Sequence, residues 1–211
     1  MAKFNDGING PFKGKVGTVV GATWKGIHYM RSLPAERTSP PTKGEQKNRK
    51  KWALSQSWLQ PITQFVRIGW KGYSQKSEGF IAAKSYLMKN AFEQGAEDVI
   101  INPALVKLSS GDLPLPASLK ATQLENSMVQ FTWDVAFDSE KANKGDQIMM
   151  LAYNDEEKAA VSDVMGQLRK NGSDTLKLKN GNPGTYHLYA AFISYDRTRQ
   201  SDSVYLGSVV I

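Results

Sequence analysis

Apolar and polar positions change their spacing near residue 98, and the change divides the chain into two textures. Before it, Trp52, Ser55, Leu59, Ile62 and Val66 recur at three- or four-residue steps with Trp58 and Phe65 beside them, the stripe of an amphipathic helix. Thr42 followed by Glu45 fits a capping box at its start, and Pro61, lacking the ladder N–H, must kink or split it. A second helix is expected from Ser77 to Phe92, with Phe80, Ala83, Leu87 and Ala91 on one stripe, Ser77 as N-cap and Gly95 as stop. After Asp98 the spacing falls to two. A strand region at 99–110, interrupted by Asn102-Pro103, is followed by predicted strands at 118–125, 128–135, 147–154, 159–165, 175–179, 185–195 and 203–211. Turn residues separate them at Glu125-Asn126, Lys144-Gly145, Asn171-Gly172 and Asn180 to Gly184. Val129, Phe131, Trp133 and Val135 alternate cleanly, as do Tyr186, Leu188, Ala190 and Phe192, and strands at this spacing predict a β-sandwich.

Ahead of the helices, Gly14 to Ser32 reads as a strand, a tight turn at Lys25-Gly26 and a return strand, with Gly26 supplying the positive φ of the turn. On the return strand Ile27, Tyr29 and Arg31 face one way, and His28, Met30 and Ser32 the other. Residues 1–13 are rich in Gly and Asn and expected to be extended, and Leu33 to Pro41 is a breaker-rich connection. The predicted class is α+β: a glycine-rich β-hairpin with two helices over residues 1–97, then an immunoglobulin-like β-sandwich over residues 98–211.

Charge sharpens the division. Residues 1–90 hold 16 Lys/Arg against 4 Asp/Glu, a net +12, whereas residues 91–211 hold 11 against 16, a net −5. Such a split speaks of partners: nucleic acid, an acidic surface, or the acidic half of a neighbouring copy. The cluster Lys47, Arg49, Lys50 and Lys51 sits in the first turns of the first helix, where the macrodipole disfavours cations by a few tenths of a kcal/mol each, about the size of a surface pair. With no Cys there is no disulfide framework and no thiolate metal site. No signal peptide or membrane-spanning run is apparent, so a cytoplasmic protein without membrane association is expected.

No catalytic signature stands out. Gly10 to Val16 gestures at a phosphate loop, but it is one residue short and Val16 replaces the metal-binding Ser/Thr. Gly14, Gly17 and Gly21 lie inside a strand pattern, where a dinucleotide fingerprint does not occur. The two histidines, His28 and His187, lack an i+4 partner and a nearby acidic pair, and no G-x-S-x-G elbow is present. A non-enzymatic protein without cofactor, metal or small-molecule substrate is therefore expected.

Two resemblances follow from particular residues. Residues 118–211, with Trp133 in the second strand and Tyr186 after a Pro-Gly turn, resemble a fibronectin type III or immunoglobulin-like sandwich, which implies a tyrosine corner at Tyr186. Nearly the whole chain resembles an uncharacterised family of Bacteroidetes proteins with a domain of unknown function. That likeness is carried by Gly14–Gly17, Trp24–Gly26, Tyr29–Pro34, Gln46–Lys51 and Leu108–Leu113, and it implies no activity.

The expected function is structural: self-association, or docking into a larger particle, tube or filament of phage-like kind. The residues expected to carry it are Lys13, Lys15, Trp24, Lys25, His28, Tyr29, Arg31, Arg37, Lys47, Arg49, Lys50 and Lys51. The same interleaving of cations and aromatics supports an alternative, nucleic-acid binding by phosphate neutralisation and base stacking.

Overall fold

The computed structural model describes the chain apart from residues 1–2, 5–6, 8–9, 75–76, 94–98, 126, 137–140 and 179–182. Two compact units result, Met1–Thr42 and Lys43–Ile211.

The first unit is an antiparallel meander of β1 (Lys3–Phe4), β2 (Phe12–Val16), β3 (Val19–Trp24) and β4 (Ile27–Ser32), in that spatial order. The single strand expected from Gly14 to Trp24 is in fact two, broken by the turn at Gly17-Thr18. Gly17 adopts φ 55, a left-handed value that costs a glycine nothing. At the next turn both central residues are left-handed, Lys25 at φ 48 and Gly26 at φ 81. This is the sense of a type I′ turn, whose twist suits the strands it joins.

The second unit opens with α1 (Lys43–Leu59), a single 3-10 turn over Gln60–Ile62, and α2 (Thr63–Gly69). Pro61 splits the helix as its missing N–H requires. The buried stripe begins at Ser55: Trp52, placed on it by spacing, is 56% exposed. The next helix, α3 (Gly79–Asn90), starts two residues later than expected. Its N-cap is Glu78, not Ser77, and Gly79, at φ 56, turns the chain so that its N–H donates to the Trp70 carbonyl at 3.0 Å. The stop expected at Gly95 lies outside the described residues.

The expected strand region at 99–110 is not a strand. It holds one bridge, Phe92 to Ile101, and a 3-10 turn at Pro103–Leu105, where the Asn102 side chain accepts from the Ala104 N–H. Seven strands follow among the described residues: β5 (Lys120–Leu124), β6 (Met128–Thr132), β7 (Gln147–Asn154), β8 (Ala159–Asp163), β9 (Ser173–Lys177), β10 (Thr185–Ile193) and β11 (Val204–Val210). They form two antiparallel sheets, ordered β5-β6-β9 and β11-β10-β7-β8. Asn126, Lys179 and most of the turn from Asn180 lie outside the described residues.

Side-chain alternation in β7 and β10 then builds two cores. Ile148, Met150, Ala152, Leu188, Ala190 and Phe192 point to the three-stranded sheet and pack with Val129, Phe131 and Leu176. The alternate positions Met149, Leu151, Tyr153, Tyr189, Ala191 and Ile193 pack instead with Trp58, Leu59, Phe65, Val66 and Leu87 of the helices. The four-stranded sheet is therefore covered on both faces, which accounts for the near-continuous apolar runs of β7 and β10. The helices bury their stripe on this sheet, in one core shared with β7 and β10. The division falls at Thr42.

Candidate interaction surface

Register sets which residues share a face of the first unit. Lys15 pairs with Val20 and Val20 with Arg31, so these three form one row across β2, β3 and β4. Ala22 opposite Tyr29 and Trp24 opposite Ile27 lie on that same face, because positions two apart along a strand project together. The result is a surface of two cations beside two aromatic rings and an isoleucine. His28 and Met30 occupy the other face, where His28 Nδ1 lies 2.8 Å from Thr23 Oγ1.

Lys13 pairs with Lys3 across β1 and β2. Between Lys13 and Lys15, Gly14 at φ 115 bends the strand, and the Phe12 carbonyl and ring close over Gly21. A Cβ at Gly21 would lie 2.2 Å from that carbonyl oxygen, so the bend depends on glycine there. Lys25 stands at the turn with its ammonium 5.6 Å from the Trp24 ring centroid.

Every residue of β4 is exposed, and β4 is an edge of the sheet. Met30 is 71% exposed, and Trp24, Ile27 and Tyr29 are exposed with it. Lys13, Lys15 and Arg31 have no ion pair among the described residues. A four-stranded sheet with so little buried apolar area gains little from its own folding, and an uncovered edge strand is a template for another chain.

The remaining predicted residues lie elsewhere. Arg37, in the connection, is tied down locally, its guanidinium donating to the carbonyls of Ser39 and Pro40 at 2.8 and 3.3 Å. Lys47, Arg49 and Lys50 are exposed on α1 without an ion pair among the described residues. Lys51 is half-buried, its ammonium 5.0 Å from the Phe92 ring centroid. The twelve residues thus divide between a sheet, a connection and a helix of the second unit.

Among the described residues no group of three or more His, Asp or Glu is placed to hold a metal, and no helix is long and apolar enough to cross a membrane. His187, in β10, has its Nδ1 3.1 Å from the Tyr205 hydroxyl, and burial holds its pKa below the ordinary value.

Comparison with known proteins adds one match. Residues 11–207 match the family described as "Family of unknown function (DUF6266)". The chain belongs to this family. Neither a curated protein nor a solved structure matches it. The match takes in β2 to β4 of the meander, the helices, β5 to β10 and the first part of β11, so the family pattern spans both units.

One stretch that carried the sequence resemblance, Leu108 to Leu113, proves to be a clasp. The Ser109 hydroxyl lies 2.6 Å from the Ser201 carbonyl and 3.2 Å from that of Gly69. The Ser110 N–H donates to Gly69 and the Gly111 N–H to the Asp202 carboxylate. These bonds join the end of α2 to the segment leading into β11. Sequence reasoning passed over a different residue, Lys84 of α3, which is buried although charged. Its position was the available signal: it falls four residues after Phe80 and three before Leu87, on the apolar stripe itself.

Proposed function

We propose that the protein is a non-enzymatic, cytoplasmic assembly component, which self-associates or docks into a larger particle, tube or filament of phage-like kind through its basic N-terminal region. The observation that carries this reading is edge strand β4, exposed along its whole length and bearing Ile27, Tyr29 and Met30 beside Arg31. Strand addition to such an edge satisfies main-chain donors and acceptors while covering the apolar side chains. The second unit serves as scaffold: three- and four-stranded antiparallel sheets facing each other across one core support an immunoglobulin-like, fibronectin type III reading of the seven strands. The opposite charges of the two halves of the sequence suit head-to-tail contacts between copies.

Deleting residues 1–42 tests the reading, because both cores are built from residues beyond that point. The full chain is expected to run as an oligomer by size exclusion with light scattering, and the deletion as a folded monomer. An unchanged mass would overturn the proposal.

The row of Lys15 and Arg31 beside Trp24 and Tyr29 favours a second reading, nucleic-acid binding through the same face. It predicts retardation of random DNA or RNA that weakens by at least about tenfold over a modest rise in salt.

A further inference from the structure

Helices α1 and α3 enclose a groove of about 590 Å³ whose walls include Trp52, Phe80, Ile81 and Met88. Ile81 is 69% exposed, so large apolar surface lies open here. Lys84, only 8% exposed, also lines the groove. Its ammonium stands 3.2 Å from the Trp52 ring centroid and donates to Gln56 Oε1 at 2.8 Å. Among the described residues no carboxylate pairs with it, and neither Asp nor Glu lines the groove.

An ammonium has three N–H donors and one full charge. The Gln56 amide accepts one hydrogen bond and the indole face attracts the charge, yet neither supplies a negative charge. Burial accordingly lowers the Lys84 pKa from its ordinary value. A buried cation is best accommodated when an anion meets it, and the groove that Lys84 lines is otherwise walled largely by apolar side chains.

We propose that the α1–α3 groove binds a small amphiphilic carboxylate, its apolar chain against Trp52, Phe80, Ile81 and Met88 and its head group on Lys84. Lys89, also in the lining, adds a second positive charge. The volume lies within the range of about 300–1,000 Å³ usual for small-molecule sites, which favours such a ligand over a macromolecular one. This goes beyond the sequence-based expectation of no small-molecule ligand and does not rest on the assembly reading, since the groove belongs wholly to the second unit.

Titration calorimetry of the full chain with octanoate and with 1-octanol tests the proposal, since the two share a chain and differ in charge. Octanoate is expected to bind at least about tenfold more tightly. Lys84→Met should abolish that advantage while leaving 1-octanol unaffected. Ile81→Glu, at an exposed position, should weaken octanoate by a similar factor by setting a carboxylate in the groove, and it decides the matter should Lys84→Met fail to fold. Equal affinity for the two ligands, absence of octanoate binding, or undiminished octanoate affinity in Ile81→Glu would each overturn it.

Discussion

The indole of Trp58 stacks on the phenol ring of Tyr153 with 4.3 Å between centroids and 28° between planes, joining α1 to β7. Tyr189 meets the same indole edge-on, 6.4 Å away. This aromatic group sits where the helices meet the four-stranded sheet, so Trp58→Ala removes contacts from both layers. A loss of about 3–5 kcal/mol is expected in urea unfolding. Tyr153→Phe should differ from it. The Tyr153 hydroxyl is buried without a hydrogen-bond partner among the described residues, and its removal deletes an unsatisfied group at little packing cost. A change within about 0.5 kcal/mol, or a gain in stability, is expected.

The clasp at Leu108–Leu113 depends on two close backbone approaches. A Cβ at Gly111 would lie 1.9 Å from the Gln200 carbonyl oxygen, and one at Gly69 would lie 2.5 Å from that of Leu108. Backbone is what stands in the way, so neither contact relaxes by a rotamer change. Gly111→Ala and Gly69→Ala should each lower the thermal midpoint, with a cost of about 1–3 kcal/mol typical of overpacking. Gly44→Ala is the control: nothing lies near its Cβ, and alanine at this exposed first-turn position of α1 should cost no stability.

Much of this architecture is legible in residue order, and the misreadings have physical causes. The stripe through Leu59, Ile62 and Val66 and the alternation of Val129 with Phe131 each report a single buried face, which periodicity detects. Met149, Leu151 and Tyr153 lie between residues buried on the opposite side, so β7 shows no period and conceals the layer that covers it. Trp52 fits the helical stripe by spacing but lies one turn beyond the sheet's cover. Gly17 stands in a β-branched run that looks continuous until its φ is known. At the interaction surface, local charge and alternation disclose Arg31 and Tyr29, but the row that joins Arg31 to Lys15 exists only once the register is set.

Arg169 and Asp146 form a buried ion pair, Nε to Oδ2 at 3.4 Å, each side chain 1% exposed. The guanidinium also donates to the Pro114 carbonyl at 2.6 Å and lies over the Phe192 ring, while Trp133 Nε1 donates to the Arg169 carbonyl at 2.7 Å. Asp146→Ala would leave an uncompensated cation, with an expected cost of about 3–5 kcal/mol. The double variant Asp146→Ala with Arg169→Met removes both charges and should lose less than the sum of the two single losses. A denaturation cycle over the four proteins measures the difference, and strict additivity would show that the pair is not coupled.

Stability should also depend on the protonation of His187. Burial holds its folded pKa below the ordinary 6.5, with nearby Asp155 opposing the shift in part. Over the interval between the folded pKa and 6.5 the unfolded chain binds more protons than the folded one, so acid favours unfolding there. The contribution of His187 is complete above 6.5 and is lost as the pH falls through the folded pKa. Urea midpoints of the wild type should therefore decline on acidification from about pH 7.5, and His187→Gln should show a shallower decline over the same interval. Parallel profiles would remove His187 as the cause.

The two readings of the N-terminal unit call for opposite responses to one change. Ile27 and Met30 project from opposite faces of β4, and both are largely exposed. Replacing both by Lys removes apolar surface from the edge strand and adds two positive charges beside Arg31. If another chain docks on β4 by strand pairing and apolar contact, the charges oppose it, as lysines on natural edge strands do. Self-association should then fall by an order of magnitude or more, roughly 1.4 kcal/mol, with unchanged far-ultraviolet circular dichroism. If the unit holds nucleic acid instead, the same two lysines add phosphate contacts, and retention of random DNA should rise and become more sensitive to salt. Sedimentation and gel retardation on one pair of proteins thus separate the alternatives. A variant that self-associates as strongly as the wild type would show that β4 is not where the copies meet.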